Sequence, residues 1–158
     1  MILLNLGGKV KGDCNVAEHK DWITCSSFQL GVSRAISLSG GGKDRETSKP
    51  NITEAVLTKS TDISSTELFS QSLSGKSLGK AEVHFLQTSD DKMQVYMIYE
   101  LTDAIVSSYS QSSGGDRPME SFTLNFTQIT QTYNAFSGTE VTPGSPKGWD
   151  LIESKRLP

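Results

Sequence analysis

The stretch Ser121–Tyr133, SFTLNFTQITQTY, alternates with a period of two: Phe122, Leu124 and Phe126 fall on one side, Thr123, Asn125 and Thr127 on the other. Successive side chains of a pleated chain point to opposite faces, so this is a strand with one face in a core and the other in water. The parity then changes. Ile129 and Tyr133 continue the apolar pattern on odd positions, which indicates a bulge near Gln128 or a strand that leaves one sheet for another neighbour.

Working outward, MQVYMIYEL places Met93, Val95, Met97, Tyr99 and Leu101 on one apolar face and Gln94, Tyr96, Ile98 and Glu100 on the other. Further strands are expected over Asp21–Ile36, Ile52–Lys59, Ala81–Gln87 and Gly148–Glu153, with turns in SDDK, SSGGDRP and TPGSPKG. One segment differs. Within DISSTELFSQSLSG, Ser64 and Glu67 have capping-box spacing, Ile63 and Leu68 sit where a hydrophobic staple would close, and Phe69 and Leu73 are four apart. Gly75 is placed to end a helix in the left-handed conformation, so one short helix is expected near residues 65–74. The fold class is mainly β: an antiparallel β-barrel or two-sheet sandwich with one flanking α-helix.

The 158 residues suit a single domain able to bury one core unaided. Fifteen basic and eighteen acidic side chains leave a net charge of −3, so no strong field favours nucleic acid or an anionic membrane. No run approaches the roughly 20 apolar residues that span a bilayer, so no membrane insertion is expected. At the amino end, MILLNLGGKVKG has lysines after its apolar start, the reverse of a secretory signal, so a cytoplasmic protein is expected, with any export using a leaderless route. In a reducing compartment Cys14 and Cys25 are expected as free thiols.

Two long polar loops interrupt the strands, one over about 33–51 and one over Tyr109–Ser121. The first contains SLSGGGKDRETSKPN. Its glycines and Lys43 suggest a phosphate loop, but Ser37 stands where the pattern needs glycine, and Asp44 stands where it needs Ser or Thr and would repel the phosphate. Chemistry elsewhere is equally sparse. His19 sits among charged neighbours in AEHKDWI, as in a solvated turn, and His84 alternates with Val83 and Phe85 in a strand. Neither has the nucleophile and orienting partner that covalent catalysis needs. Cys14, His19 and Cys25, with His84 as a distant fourth, lack the tight knuckle of a structural zinc site. No catalytic residue, metal or cofactor is therefore expected. What remains is edges: unpaired strand amides and carbonyls are templates for another chain, and a heterologous contact repeated about an axis closes a ring.

HKDWI with SSFQLGVSR, then SKPNI, KSTDISSTELF, QVYMIYEL, AIVSSYS, GGDRPMESFTLNF and TYNAF, in that order, resemble the haemolysin-coregulated protein (Hcp) family, the tube subunit of bacterial type VI secretion. The resemblance implies a two-sheet β-barrel with a flanking helix, a homohexameric ring, and rings stacked on one another inside a contractile sheath. It also implies small effectors carried and shielded in the lumen, a spike protein at the tip, secretion of the tube subunit itself, and no enzymatic activity. The first loop matches the arm that in this family reaches toward an adjacent ring, and its expected contacts are Arg34, Gly40, Gly41, Gly42, Lys43, Asp44, Arg45, Glu46 and Lys49. A second assembly loop is expected to use Gly114, Gly115, Asp116, Arg117 and Glu120. Family chains open with a strand leading into Gly-x-x-x-Gly-Glu-Ser; Gly8 and Gly12 keep the spacing, while Asp13 and Cys14 replace the last pair. The chain ends at Pro158, without the carboxy-terminal toxin domain that some relatives carry, so a carrier is expected. The alternative is a monomeric β-sandwich binding module, such as a carbohydrate binder, which would want exposed aromatics clustered on one face; Tyr96, Tyr99, Tyr109 and Tyr133 are too few and too scattered in sequence to decide for it.

Overall fold

Phe122, Leu124 and Phe126 point into the core as their alternation requires, and the chain then changes sheets. The computed structural model describes residues 1–39 and 44–158. Strand β12 (Met119–Asn125) belongs to a four-stranded sheet, and β13 (Gln128–Tyr133) pairs in a seven-stranded one. The parity shift near Gln128 is this crossing, not a bulge.

The larger sheet runs in the order β17 (Lys155–Leu157), β16 (Lys147–Asp150), β13, β10 (Lys92–Thr102), β9 (Ala81–Ser89), β1 (Ile2–Leu6) and β2 (Ile23–Cys25). The smaller is β11 (Ile105–Ser112), β12, β8 (Ala55–Ser60) and β3 (Ser27–Gln29). Every pairing is antiparallel, and the architecture is a two-sheet sandwich. Leu4, Leu57, Val83, Leu101, Phe122 and Leu124, contributed by both sheets, are fully buried in one continuous core. Each such side chain contributes about 1.5–3 kcal/mol of burial.

The single apolar face expected for MQVYMIYEL is corrected. The register skips Tyr96: Val95 pairs with Leu86, whereas Met97 pairs with Phe85. This bulge inverts the pleat. Tyr99 and Leu101 face the main core, while Val95 packs on the opposite face with Leu3, Cys14 and Leu86. Tyr133, expected to continue the inward pattern, is exposed.

Asp21–Ile36 is broken into β2, β3, β4 (Val32–Ser33) and the start of β5 (Ile36–Ser39). The last two lead into an arm, completed by β6 (Asp44–Thr47) and β7 (Asn51–Ile52). A small hairpin, β14 (Ala135–Ser137) and β15 (Glu140–Thr142), precedes β16. Asp150 holds the turn that follows: one carboxylate oxygen accepts the Ile152 and Glu153 amides, each at 2.8 Å, and the other accepts Gln128 Nε2 at 2.7 Å. These bonds, led by the Glu153 amide, hold the carboxyl below its usual range.

Helix α1 spans Ser65–Ser74, and Gly75 (φ 63°) closes it with its amide on the Gln71 carbonyl at 3.0 Å. The capping box is not made. Ser64 makes no side-chain cap, and Glu67 accepts from Gln71 Nε2. Asp62, two residues earlier, does the work instead: its Oδ1 accepts the Ser64 amide at 2.8 Å, and its own amide donates to Ser65 Oγ. Ile63 is exposed, so the expected staple with buried Leu68 does not form.

Candidate assembly surfaces

The arm rises from the body as a ladder of short pairings. Gly31 and Thr53 exchange bonds at its base, Val32 pairs with Ile52, and Ala35 exchanges bonds with Ser48. Strands β5 and β6 then pair from Ile36 opposite Thr47 to Ser39 opposite Asp44. At ~3.3 Å per residue, Val32 to Ser39 accounts for about 25 Å of extended chain. The long loop is thus a twice-paired hairpin. Arg34, Lys49 and the β6 residues Asp44, Arg45 and Glu46 all lie on it, and Arg34 reaches Thr47 Oγ1 at 3.4 Å. Gly40, Gly41, Gly42 and Lys43 lie outside the described residues. The polar description of the arm missed one feature: Val32, Ile36 and Leu38 are exposed, Leu38 at 70%.

The second loop is tied down at its root. Arg117 Nε donates to the Thr61 carbonyl at 2.7 Å, Thr61 donates its amide to the Pro118 carbonyl, and Ser113 Oγ donates to the Asp116 carbonyl. Gly114, Gly115, Asp116 and Arg117 are exposed, with Gly115 at φ 112°. Glu120 is not a loop contact. It lies in β12 with its side chain fully buried, so it is corrected to an internal role.

That role is an ion cluster between α1, β8 and β12. Lys59 Nζ lies 3.2 Å from Glu120, 2.8 Å from Asp62, 3.2 Å from Ser65 Oγ and 3.0 Å from the Ser60 carbonyl. Glu120 also accepts from Ser65 Oγ at 2.6 Å and from the Tyr109 hydroxyl at 2.7 Å. Burial opposes its ionisation, but the Ser65 and Tyr109 bonds and the Lys59 charge outweigh that and hold the carboxyl below its usual range. Burial and the adjacent carboxylate push the Tyr109 hydroxyl up. Two carboxylates against one ammonium leave the cluster itself net negative.

His19 is not in a solvated turn. It is 5% exposed, its Nε2 is 2.9 Å from His84 Nδ1, and Trp22 packs edge-on to it. His84 Nε2 meets Glu82 at 3.2 Å. Burial lowers the His84 pKa most, Glu82 opposes that, and His19 adds to the lowering. Cys25 belongs to the main core and Cys14 to the opposite face of the sheet. Among the described residues no three His, Cys, Asp or Glu side chains gather as metal ligands. None of those described helices is long and apolar enough to cross a membrane.

Two further apolar surfaces lie apart from these clusters. Ile63, just before α1, and Phe69 and Leu73 on it are 65%, 53% and 73% exposed, with the Phe69 ring lying 5.9 Å from that of Tyr109. Across the protomer, a groove of about 390 Å³ lies between the root of the arm and the β13–β16 face, with Arg34, Lys147 and Arg156 around Val32, Tyr99 and Trp149.

Residues 3–133 match the family described as type VI secretion system effector, Hcp. The chain belongs to the Hcp family. This is a family of type VI secretion tube proteins, structural in role, which assemble with copies of themselves. The protein hcp1 of Pseudomonas aeruginosa is 30% identical over 110 residues, 67% of this chain and 68% of that protein. A solved type six secretion system protein superposes with a TM-score of 0.89 at 28% identity, over 99% of this chain and 98% of the other. Hcp1 from Salmonella typhimurium gives 0.76 at 22%, over 99% and 97%. The cap that terminates the tube of an anti-feeding prophage shares the fold at 0.55 and 11% identity, over 84% of this chain and 87% of that one.

Proposed function

We propose that this chain is the ring subunit of a type VI inner tube: six copies close head to tail, the rings stack through their arms, and the bore carries small effectors. The observation that carries this reading is the arm. Paired backbone runs along it from Gly31 to Ser39 opposite Asp44–Thr53, and exposed Ile36 and Leu38 are aimed at whatever it meets. Exposed apolar side chains on a projecting hairpin are unfavourable in water and are relieved by a partner surface. Within the family's setting, the partners are a spike protein at the tip, the contractile sheath outside and small effectors within. The subunit waits in the cytoplasm and leaves through the apparatus itself. No step of this function requires catalysis.

Native mass spectrometry of the purified chain tests the reading. A particle of six times 17.2 kDa is expected, with ring-shaped views in negative stain. A 17.2 kDa species alone, at every concentration, favours the monomeric binding module instead.

A further inference from the structure

The connection between β1 and β2 doubles back as a strap over the face of the seven-stranded sheet that is turned away from the main core. Backbone bonds join its two limbs: the Gly12 amide to the Asp21 carbonyl at 2.7 Å, the Asp21 amide to the Cys14 carbonyl at 2.9 Å, and the Cys14 amide to the Trp22 carbonyl at 3.1 Å. Glu18 and Asp21 sit at φ 68° and 66°, a left-handed conformation that a Cβ resists, so the closed strap carries strain. Two things hold it to the sheet. Cys14, Val16 and Trp22 pack against Leu3, Leu86 and Val95, and His19 on the strap bonds His84 in β9.

The number of hydrogens that bond tolerates follows from its partners. The outer nitrogens face acceptors: His19 Nδ1 lies 3.3 Å from the Ala17 carbonyl, and His84 Nε2 lies 3.2 Å from the Glu82 carboxylate. The inner nitrogens face each other at 2.9 Å, with room for one hydrogen. The closed pair therefore holds at most three hydrogens on its four nitrogens, whereas two rings in water hold four in acid. Opening takes up a proton, so falling pH favours it. Burial, opposed by Glu82 and reinforced by His19, lowers the His84 pKa in the same sense. Other charges surround the pair. Glu82 is opposite Glu100 of β10, which Lys80 meets at 3.0 Å; the Met1 ammonium donates to the Leu86 carbonyl; Asp13, Glu18, Lys20 and Asp21 on the strap are exposed. Carboxyls as a class titrate about two pH units below imidazole and amines more than one unit above it, which leaves the interval between to the two histidines.

We propose that the His19–His84 bond is an acid-released latch: a proton parts the two rings, and the strap over residues 12–22 lifts from the sheet while the main core stays closed. This device stands apart from the ring reading and does not depend on it. The two cysteines distinguish local opening from unfolding, because Cys14 lies in the contact beneath the strap and Cys25 in the main core on the other face.

Labelling of the full chain by 4,4′-dithiodipyridine under native conditions, from about pH 7.5 to about 5, tests the latch. Each rate is taken relative to the same chain in urea at the same pH, and mass spectrometry assigns the modified cysteine. Cys14 labelling is expected to accelerate by up to roughly tenfold per pH unit below about 6.5, the slope of one proton, with Cys25 protected throughout. His19→Gln keeps an oxygen that accepts from His84 but removes one titrating ring, so the slope is expected to vanish there, and in His84→Asn as well. Cys14 that stays protected at about pH 5, or Cys14 and Cys25 that become reactive together, overturns the latch. Both of those results come from the wild-type chain and stand even where a variant does not fold. A slope unchanged in folded His19→Gln overturns the assignment to this pair.

Discussion

His19 Nε2 lies 2.9 Å from His84 Nδ1, joining a loop that precedes β2 to the middle of β9. Only one proton fits between two ring nitrogens at that distance, so both rings cannot be imidazolium while the bond lasts. Burial sets the direction, holding His84 below its ordinary 6.5. A folded-state pKa that is depressed means the unfolded chain binds more protons, so stability present above pH 6.5 is lost as pH falls through the folded value. Trp22 packs against both rings at 4.6 Å and reports the event. In a Trp149→Phe background, Trp22 fluorescence is expected to change on acidification below about 6.5, and His84→Asn to abolish that change. An unaltered acid profile in His84→Asn removes the pair from the explanation.

A second acid step belongs to Glu120. Its carboxyl is held below the ordinary 4.5, so its contribution is complete above that value and disappears as pH falls further. Lys59→Met leaves Glu120 and Asp62 facing each other without their cation, and breaking a buried pair in this way costs about 3–5 kcal/mol. Urea denaturation at neutral pH measures it. Adding Glu120→Gln is expected to return part of the loss, because one of the stranded charges is removed.

How much of this was legible in the sequence depends on the range of the interaction. Phe122, Leu124 and Phe126 were readable because alternation within one strand decides their burial. The opposite faces of Val95 and Tyr99 were not, because the bulge at Tyr96 is set by the β9 register and no glycine or proline marks it. Glu120 looked like a loop charge because its partner Lys59 is 61 residues away, and His19 looked solvated because His84 is 65 away. The arm was visible from polarity, yet its strands were not. Their pairing across Ile36 to Thr47 depends on tertiary placement more than on intrinsic strand preference.

The thiols give a separate check. Burial, partly offset by Lys59, pushes the Cys25 thiol up to about 12, so almost none is thiolate at neutral pH. Cys14 is also buried. Alkylation of the native protein is expected to modify neither within minutes, and both at once in urea. Rapid labelling of Cys25 under native conditions would contradict the packing of the main core.

Gly7 tests the joint between the first strand and the helix-to-β9 connection. It sits at φ 62°, and a Cβ there would lie 2.2 Å from the Leu78 carbonyl oxygen, which belongs to backbone and cannot rotate away. Gly7→Ala is therefore expected to destabilise by at least about 1–3 kcal/mol through strain alone. Gly8, at φ 70° with open space around it, is the control: Gly8→Ala carries the conformational cost without the collision, and the smaller loss. Thermal unfolding of the two variants separates the effects.

The last prediction concerns the arm. Exposed ion pairs contribute only about 0–1 kcal/mol each and are screened by salt, so charges on the arm should tune stacking weakly. Ile36 and Leu38 are a different kind of contact, since burying apolar surface is insensitive to moderate salt and contributes about 25 cal/mol per Å². Ile36→Ser with Leu38→Ser is expected to leave rings intact and abolish their stacking, whereas Lys43→Glu with Arg45→Glu is expected to shift stacking mainly at low ionic strength. Electron microscopy at two salt concentrations distinguishes the cases: tubes that persist in the double-serine variant and vanish with charge reversal at all ionic strengths would assign the arm's adhesion to charge instead.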